Sequence, residues 1–231
     1  MKNHRLVYEN MDDRYYRKAT ADIVEMLALL GVGEGREYIF PDRMPKSEFN
    51  VLKGIGYRKL GETRGVTVID YDWAPAILWP WYPDGEMACR VAAYLRSTPG
   101  LSRYQRARFK DHTSDYEADC DRVENAAAAD IISLLQEMGV KEGQPFALPA
   151  VRCPRNDADD ILEIVYREGR DEYGDCYDIA GKQYTMSFLM ELEMGAEPDY
   201  VVLRDARMIA YLYARVRNVY NKFMKKKEMQ R

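Results

Sequence analysis

Four carboxylates stand close together in the stretch RNDADDILEIVYREGRDEYGD: Asp157, Asp159, Asp160 and Glu163, with Glu168, Asp171 and Glu172 just behind. Carboxylates at such spacing can hold Mg²⁺ for phosphoryl transfer or strand cleavage, so a metal-dependent nuclease is one reading of the chain. The same residues have a plainer use. Asp157 is of helix N-cap type, and Asp159 and Asp160 would then favour the positive end of the helix dipole. Acidic first turns are routine, so no metal, cofactor or catalytic residue is assigned. His4 and His112 are the only histidines, too few for a usual zinc site or an evident general base. GVGEGRE (31–37) follows a helix-type stripe, whereas the dinucleotide-binding fingerprint follows a strand. No Gly-x-Ser-x-Gly elbow, Walker motif or His-Glu-x-x-His occurs. The expectation is a protein that binds and does not catalyse.

The binding chemistry is cationic. Arg204, Arg207, Tyr211, Arg215, Asn218, Lys222 and Lys225 follow one another at spacings of three or four. Val202, Ile209, Val216 and Phe223 recur every seven residues, with Leu212 and Val219 between them. The pattern predicts one long amphipathic helix over 198–228 with a basic, tyrosine-bearing wet face. Cations at that pitch suit a phosphate backbone, and arginine and tyrosine also stack on bases. The plainer uses are a solvated face or one docked on the chain's own acidic residues. The seven-residue seam could also pair with a second copy, giving a homodimer. An earlier segment, RVAAYLRSTPGLSRYQRARFK, offers similar chemistry: Ser102 is a candidate cap for a helix carrying Arg103, Arg106 and Lys110.

All three tryptophans fall in WAPAILWPWYPDG: Trp73, Trp79 and Trp81, beside Tyr82. Large rings in a proline-stiffened stretch make a candidate protein-binding patch, with packing over the chain's own core the alternative.

Charge is segregated beneath a net of −4. Residues 1–89 sum to −2, 90–110 to +6 with no acidic residue, 111–202 to −15 and 203–231 to +7. The N-terminal MKNHRLVYENMDDRYY has no apolar signal core, and no apolar run is long enough to span a membrane. The four cysteines form no Cys-x-x-Cys pair, so a reduced, cytoplasmic protein is expected.

The elements that must position these residues come from an internal repeat. ADIVEMLALLGVGEGREYIFP (21–41) matches ADIISLLQEMGVKEGQPFALP (129–149) without a gap, and every matched pair is 108 residues apart. Ile23, Met26, Leu27 and Leu30 form a helical stripe repeated by Ile131, Leu134, Leu135 and Met138, and Gly31 and Gly139 are natural helix stops. A strand ending in Pro41 or Pro149 follows each. Ser47 and Asp157 then read as caps of second helices carrying Phe49, Leu52 and Ile55, or Ile161 and Val165. Strands resume at GVTVIDYD and GDCYDI, the latter turning at Ala180-Gly181-Lys182 into QYTMSF. The predicted class is α+β: two degenerate tandem helix–strand–helix–strand repeats and a long amphipathic C-terminal helix. Residues 1–116 hold the first repeat with its basic segment 90–110; residues 117–231 hold the second with its basic helix 198–228.

The run from EGREYIFP through KSEFNVLKGIGYRKLG to GVTVIDYD resembles small phage-encoded strand–helix–strand domains. The resemblance implies a phage or mobile-element protein and carries over no functional residue. The function expected is regulation by association with nucleic acid or a protein–nucleic-acid complex. The alternative is a phage-type inhibitor of a host defence nuclease, anti-CRISPR-like, whose acidic surface imitates DNA. An acidic stretch of −15 enters a cationic channel by the Coulombic logic that draws DNA there.

Overall fold

The computed structural model describes residues 3–41, 52–60, 63–70, 84–152, 154, 156–190, 200–202 and 204–230. Trp73, Trp79, Trp81 and Tyr82 lie outside the described residues, as do Ser47 and Phe49. The chain divides into two compact units, one of Asn10–Ala118 and one of Met1–Glu9 with Asp119–Arg231. The class is α+β with antiparallel sheets and a long C-terminal helix.

The 10–118 unit is built on α1 (His4–Leu29), whose Met11, Tyr15, Ala19, Ile23, Met26 and Leu27 are buried at spacings of one, three and four. Gly31, at φ 78°, ends the helix in a Schellman turn. Val32 N–H donates to Leu27 O at 2.9 Å and Gly31 N–H to Ala28 O at 3.1 Å, so two otherwise orphaned carbonyls are satisfied. Strands β1 (Glu37–Ile39), β2 (Leu52–Leu60) and β3 (Thr63–Asp70) form a sheet in that order. Helix α2 (Gly85–Ser97) buries Met87, Ala88, Val91, Ala92 and Leu95, and a four-residue helix α3 (Arg103–Arg106) follows.

The other unit repeats this plan on α4 (Thr113–Glu137). Gly139 (φ 87°) closes the helix with Val140 N–H to Leu135 O at 3.0 Å, the same turn as at Gly31. The equivalence runs on past the matched sequence. Tyr57 Oη donates to Val32 O and Tyr166 Oη to Val140 O; Gly35 N–H donates to Tyr57 O and Gly143 N–H to Tyr166 O. The sheet orders β4 (Phe146–Ala147), β5 (Ile161–Glu168), β7 (Lys182–Met190) and β6 (Tyr177–Ile179), with β8 (Tyr200–Val202) pairing the far end of β7. Ala180 (φ 50°) and Gly181 (φ 82°) make the tight β6–β7 turn where the sequence placed it. Helix α5 (Ala206–Met229) lays Ile209, Leu212, Tyr213 and Val216 into one core with Ile131, Leu135, Ile161, Ile164 and Phe188. Each such aliphatic side chain gains roughly 1.5–3 kcal/mol on burial.

Two sequence readings are corrected. Leu52, Ile55, Ile161 and Val165 lie on strands β2 and β5, and Asp157 opens only a single 3₁₀ turn, with Asn156 at the position before it. Of the segment that carries the phage resemblance, residues 42–51 lie outside the described residues, and Leu52–Leu60 form a strand. The C-terminal helix begins at Ala206, after β8, so Val202 belongs to a strand and not to the seven-residue seam.

Helices α2 and α5 are counterparts. Asp84 accepts from Met87 N–H and Asp205 from Met208 N–H, and DGEMACRVAAYLR lies over DARMIAYLYARVR from those caps. Each long helix also gives its first turns to the unit containing the other repeat. His4–Glu9 of α1 belong with α4 and α5, while Thr113–Ala118 of α4 belong with α1 and α2.

Candidate polyanion-binding face

Helix α5 positions the basic residues, and its surroundings divide them. Its apolar stripe is fixed by the core, so the residues opposite that stripe are fixed outward. Arg204 precedes the N-cap Asp205. Its Nε lies 3.3 Å from Glu124 Oε1, its guanidinium 3.8 Å from Asp121, and its centre 5.3 Å from the Tyr177 ring. Glu124 is buried on α4, and burial pushes its carboxyl above the usual range, with Arg204 opposing the shift. Burial beside Glu124 likewise drives the Tyr177 phenol far up. Arg204 is therefore engaged in compensating a buried carboxylate.

Tyr211 donates to Glu9 at 2.7 Å and carries the Arg5 guanidinium 4.6 Å above its ring. Arg215 is half-buried, its charge disfavoured by burial. It donates to Ala158 O, to Ile161 O at 3.0 Å and to Pro149 O at 2.9 Å, pinning the entry to β5. These three residues hold the body together.

Arg207, Asn218, Lys222 and Lys225 remain exposed, and none takes part in an ion pair among the described residues. Arg207 and Lys225 are eighteen residues apart, five helical turns, so they line up about 27 Å apart along the axis. Asn218 falls almost on that line and Lys222 to one side. Lys226 and Lys227 extend the charge into the last turn, where they also favour the helix dipole. A cleft of about 50 Å³ beside Arg207, lined by Asn156, Asp157, Asp205 and Tyr211, is far below small-molecule size, so the chemistry offered is that of a surface.

In the other unit, Arg106 is turned inward, donating to Thr98 O at 2.7 Å and Leu101 O at 2.9 Å, while Arg103 is exposed. Lys110 pairs with Asp115. Asp157, Asp159, Asp160 and Glu163 do not converge: Asp159 accepts from Asn156, Glu163 accepts from Tyr200, and no group of three candidate metal ligands exists among the described residues. No described helix is long and apolar enough to cross a membrane.

The sequence reading missed a pair of interactions that its own repeat encodes. His4 Nε2 lies 2.6 Å from Asp130 Oδ2, and His112 Nε2 lies 3.5 Å from Asp22 Oδ2. Both the histidines and the aspartates are 108 residues apart, which was the available signal. No protein-family model, curated protein or solved structure matches the chain.

Proposed function

We propose that the protein is a non-enzymatic binding and regulatory protein that associates with nucleic acid, or with a protein–nucleic-acid complex, through the outer face of α5. One observation carries this reading: Arg207, Lys222 and Lys225, with Lys226 and Lys227, stand exposed on a single rigid helix with no carboxylate partner among the described residues. The helix is held by its own core, so a polyanion would meet a preformed row of cations and impose no ordering cost on the backbone. Each phosphate neutralised releases condensed counterions, so affinity should fall steeply with salt, with a log–log slope of about −0.9 per contact on duplex DNA.

Fluorescence anisotropy of a labelled duplex, titrated across salt concentrations, tests the reading. The combined substitution Arg207→Ala, Lys222→Ala and Lys225→Ala should flatten the slope by about 3 and weaken binding. Absence of any binding at micromolar protein and low salt would end it. That result would promote the second reading, a nuclease inhibitor acting through acidic surface. Asp171, Glu172, Asp175 and Asp178, exposed or half-exposed on and just after the β5–β6 connection, favour that reading.

A further inference from the structure

The turn after α2 is built to hold one aromatic ring in solvent. Leu101 and Phe109 are buried at its two ends. Between them α3 is closed by a capping box, Ser102 N–H donating to Gln105 Oε1 at 2.8 Å and Gln105 N–H to Ser102 Oγ at 3.3 Å. Arg106 ties Thr98 O and Leu101 O together, and Arg96 Nε donates back to Arg106 O at 3.2 Å. On this braced element Tyr104 is 88 % exposed and makes no hydrogen bond or ring contact among the described residues. Arg103 stands exposed beside it.

We propose that Tyr104 is a stacking platform for an unpaired base of a single-stranded nucleic acid, with Arg103 on the adjoining phosphate. This rests on the nucleic-acid reading above and adds to it a second site, in the other unit, with a different preference. Three features select that occupant. The turn that carries the ring is braced before binding, so stacking orders only the tyrosine side chain and not the backbone. A tyrosine face stacks on any base and so reads strand state and not sequence, whereas a paired base within a duplex keeps its faces covered. The surrounding 90–110 segment carries six cations and no carboxylate. Three of those cations form ion pairs, Arg90 with Glu86 and Glu117, Arg108 with Glu25 and Lys110 with Asp115; in the Arg108 and Lys110 pairs all four side chains are about half exposed or more. Exposed pairs of this kind are weak and yield readily to a phosphate. Tyr173 is the internal contrast: its ring is 84 % exposed among Asp171, Glu172 and Asp175, where a phosphate backbone is repelled.

The test is anisotropy of labelled oligo(dT) and of a duplex, with the full chain. Tyr104→Ala should weaken oligo(dT) binding about tenfold, within the range for losing one base–aromatic stack, and leave duplex affinity within about twofold. Tyr104→Phe should retain wild-type affinity, and Tyr173→Ala should change nothing. Arg103→Ala should reduce the single-strand salt slope by about 0.7. Unchanged oligo(dT) affinity in Tyr104→Ala overturns the platform; if the α5 triple variant still loses binding, the wider nucleic-acid reading survives. Failure of the wild-type chain to bind either probe overturns both.

Discussion

His4, in the first turn of α1, places its Nε2 2.6 Å from the carboxylate of Asp130 on α4, 126 residues away. The imidazole is 2 % exposed and meets the ring of Tyr213 edge-on at 4.6 Å. In the other unit His112, just before α4, faces Asp22 on α1 at 3.5 Å. Glu9 and Glu117 continue the parallel, the first accepting from Tyr211 and the second lying 3.6 Å from Arg90, positions that correspond on α5 and α2. Each unit is thus completed by the opening turns of a helix whose remainder builds the other. The repeat is a reciprocal exchange as well as a duplication.

Replacing His4 by alanine should destabilise the 119–231 unit by about 2–3 kcal/mol, combining lost packing with a lost hydrogen bond. His112→Ala should cost less, about 1 kcal/mol, because its carboxylate contact is longer and its side chain more exposed. Urea unfolding followed by hydrogen exchange, on α4 and α5 amides for His4→Ala and on α1 and α2 amides for His112→Ala, measures each. Equal effects would refute the asymmetry.

Glu124 makes stability depend on pH in a stated direction. Burial raises its folded pKa, Arg204 opposing. Stability from this group is therefore complete below the unfolded value near 4.3 and is lost as pH rises through the higher folded value. Glu124→Gln stays neutral and should lack that slope. Urea midpoints compared between about pH 4 and 7 should show the wild type losing ground against the variant as pH rises. Parallel curves would remove Glu124 as the cause.

Two cations on α5 should separate stability from binding. Arg215→Ala leaves three backbone carbonyls without their donor and should cost roughly 2–4 kcal/mol. Lys225→Ala should change stability by less than about 0.5 kcal/mol while reducing the salt dependence of polyanion binding. Thermal unfolding and anisotropy on the same two variants decide the matter.

The legible parts of the fold were those encoded locally. Glycine stops at Gly31 and Gly139, the Ala180-Gly181 turn and the apolar stripe of α5 all announce themselves within a few residues. Strand β5 did not, and the reason is geometric. Ile161 and Ile164 are both buried in one core, three residues apart, a spacing that reads as helical. A register shift between Ile161 and Glu163 lets them share a face; β2 carries the same irregularity between Leu52 and Gly54. The basic face was legible as composition only. Which of its members are spent on Glu124, Glu9 or the β5 carbonyls depends on partners 54 to 202 residues away.

Gly85 and Ala206 occupy the same position, the residue after the N-cap aspartate, in the two counterpart helices. Helix propensity alone says that Gly85→Ala should stabilise α2, by up to about 1 kcal/mol. Packing says otherwise. A Cβ at Gly85 would lie 2.7 Å from Asp12 O, 2.8 Å from Asp12 Oδ1 and 2.9 Å from Tyr116 Cε2. Backbone cannot yield as a flexible side chain does, and Asp12 is further committed, accepting from Gly85 N–H at 3.0 Å and from Tyr116 Oη at 2.9 Å. Overpacking of this kind costs roughly 1–3 kcal/mol, so it outweighs propensity. Gly85→Ala should therefore lower the stability of the 10–118 unit by about 1–2 kcal/mol. Ala206→Gly should also be unfavourable, by a few tenths to about 1 kcal/mol, through lost helix propensity and a lost buried methyl. Urea unfolding of the two variants tests the contrast, and a Gly85→Ala chain more stable than wild type would show that the opening turns of α4 are not held against α2 as closely as these distances require.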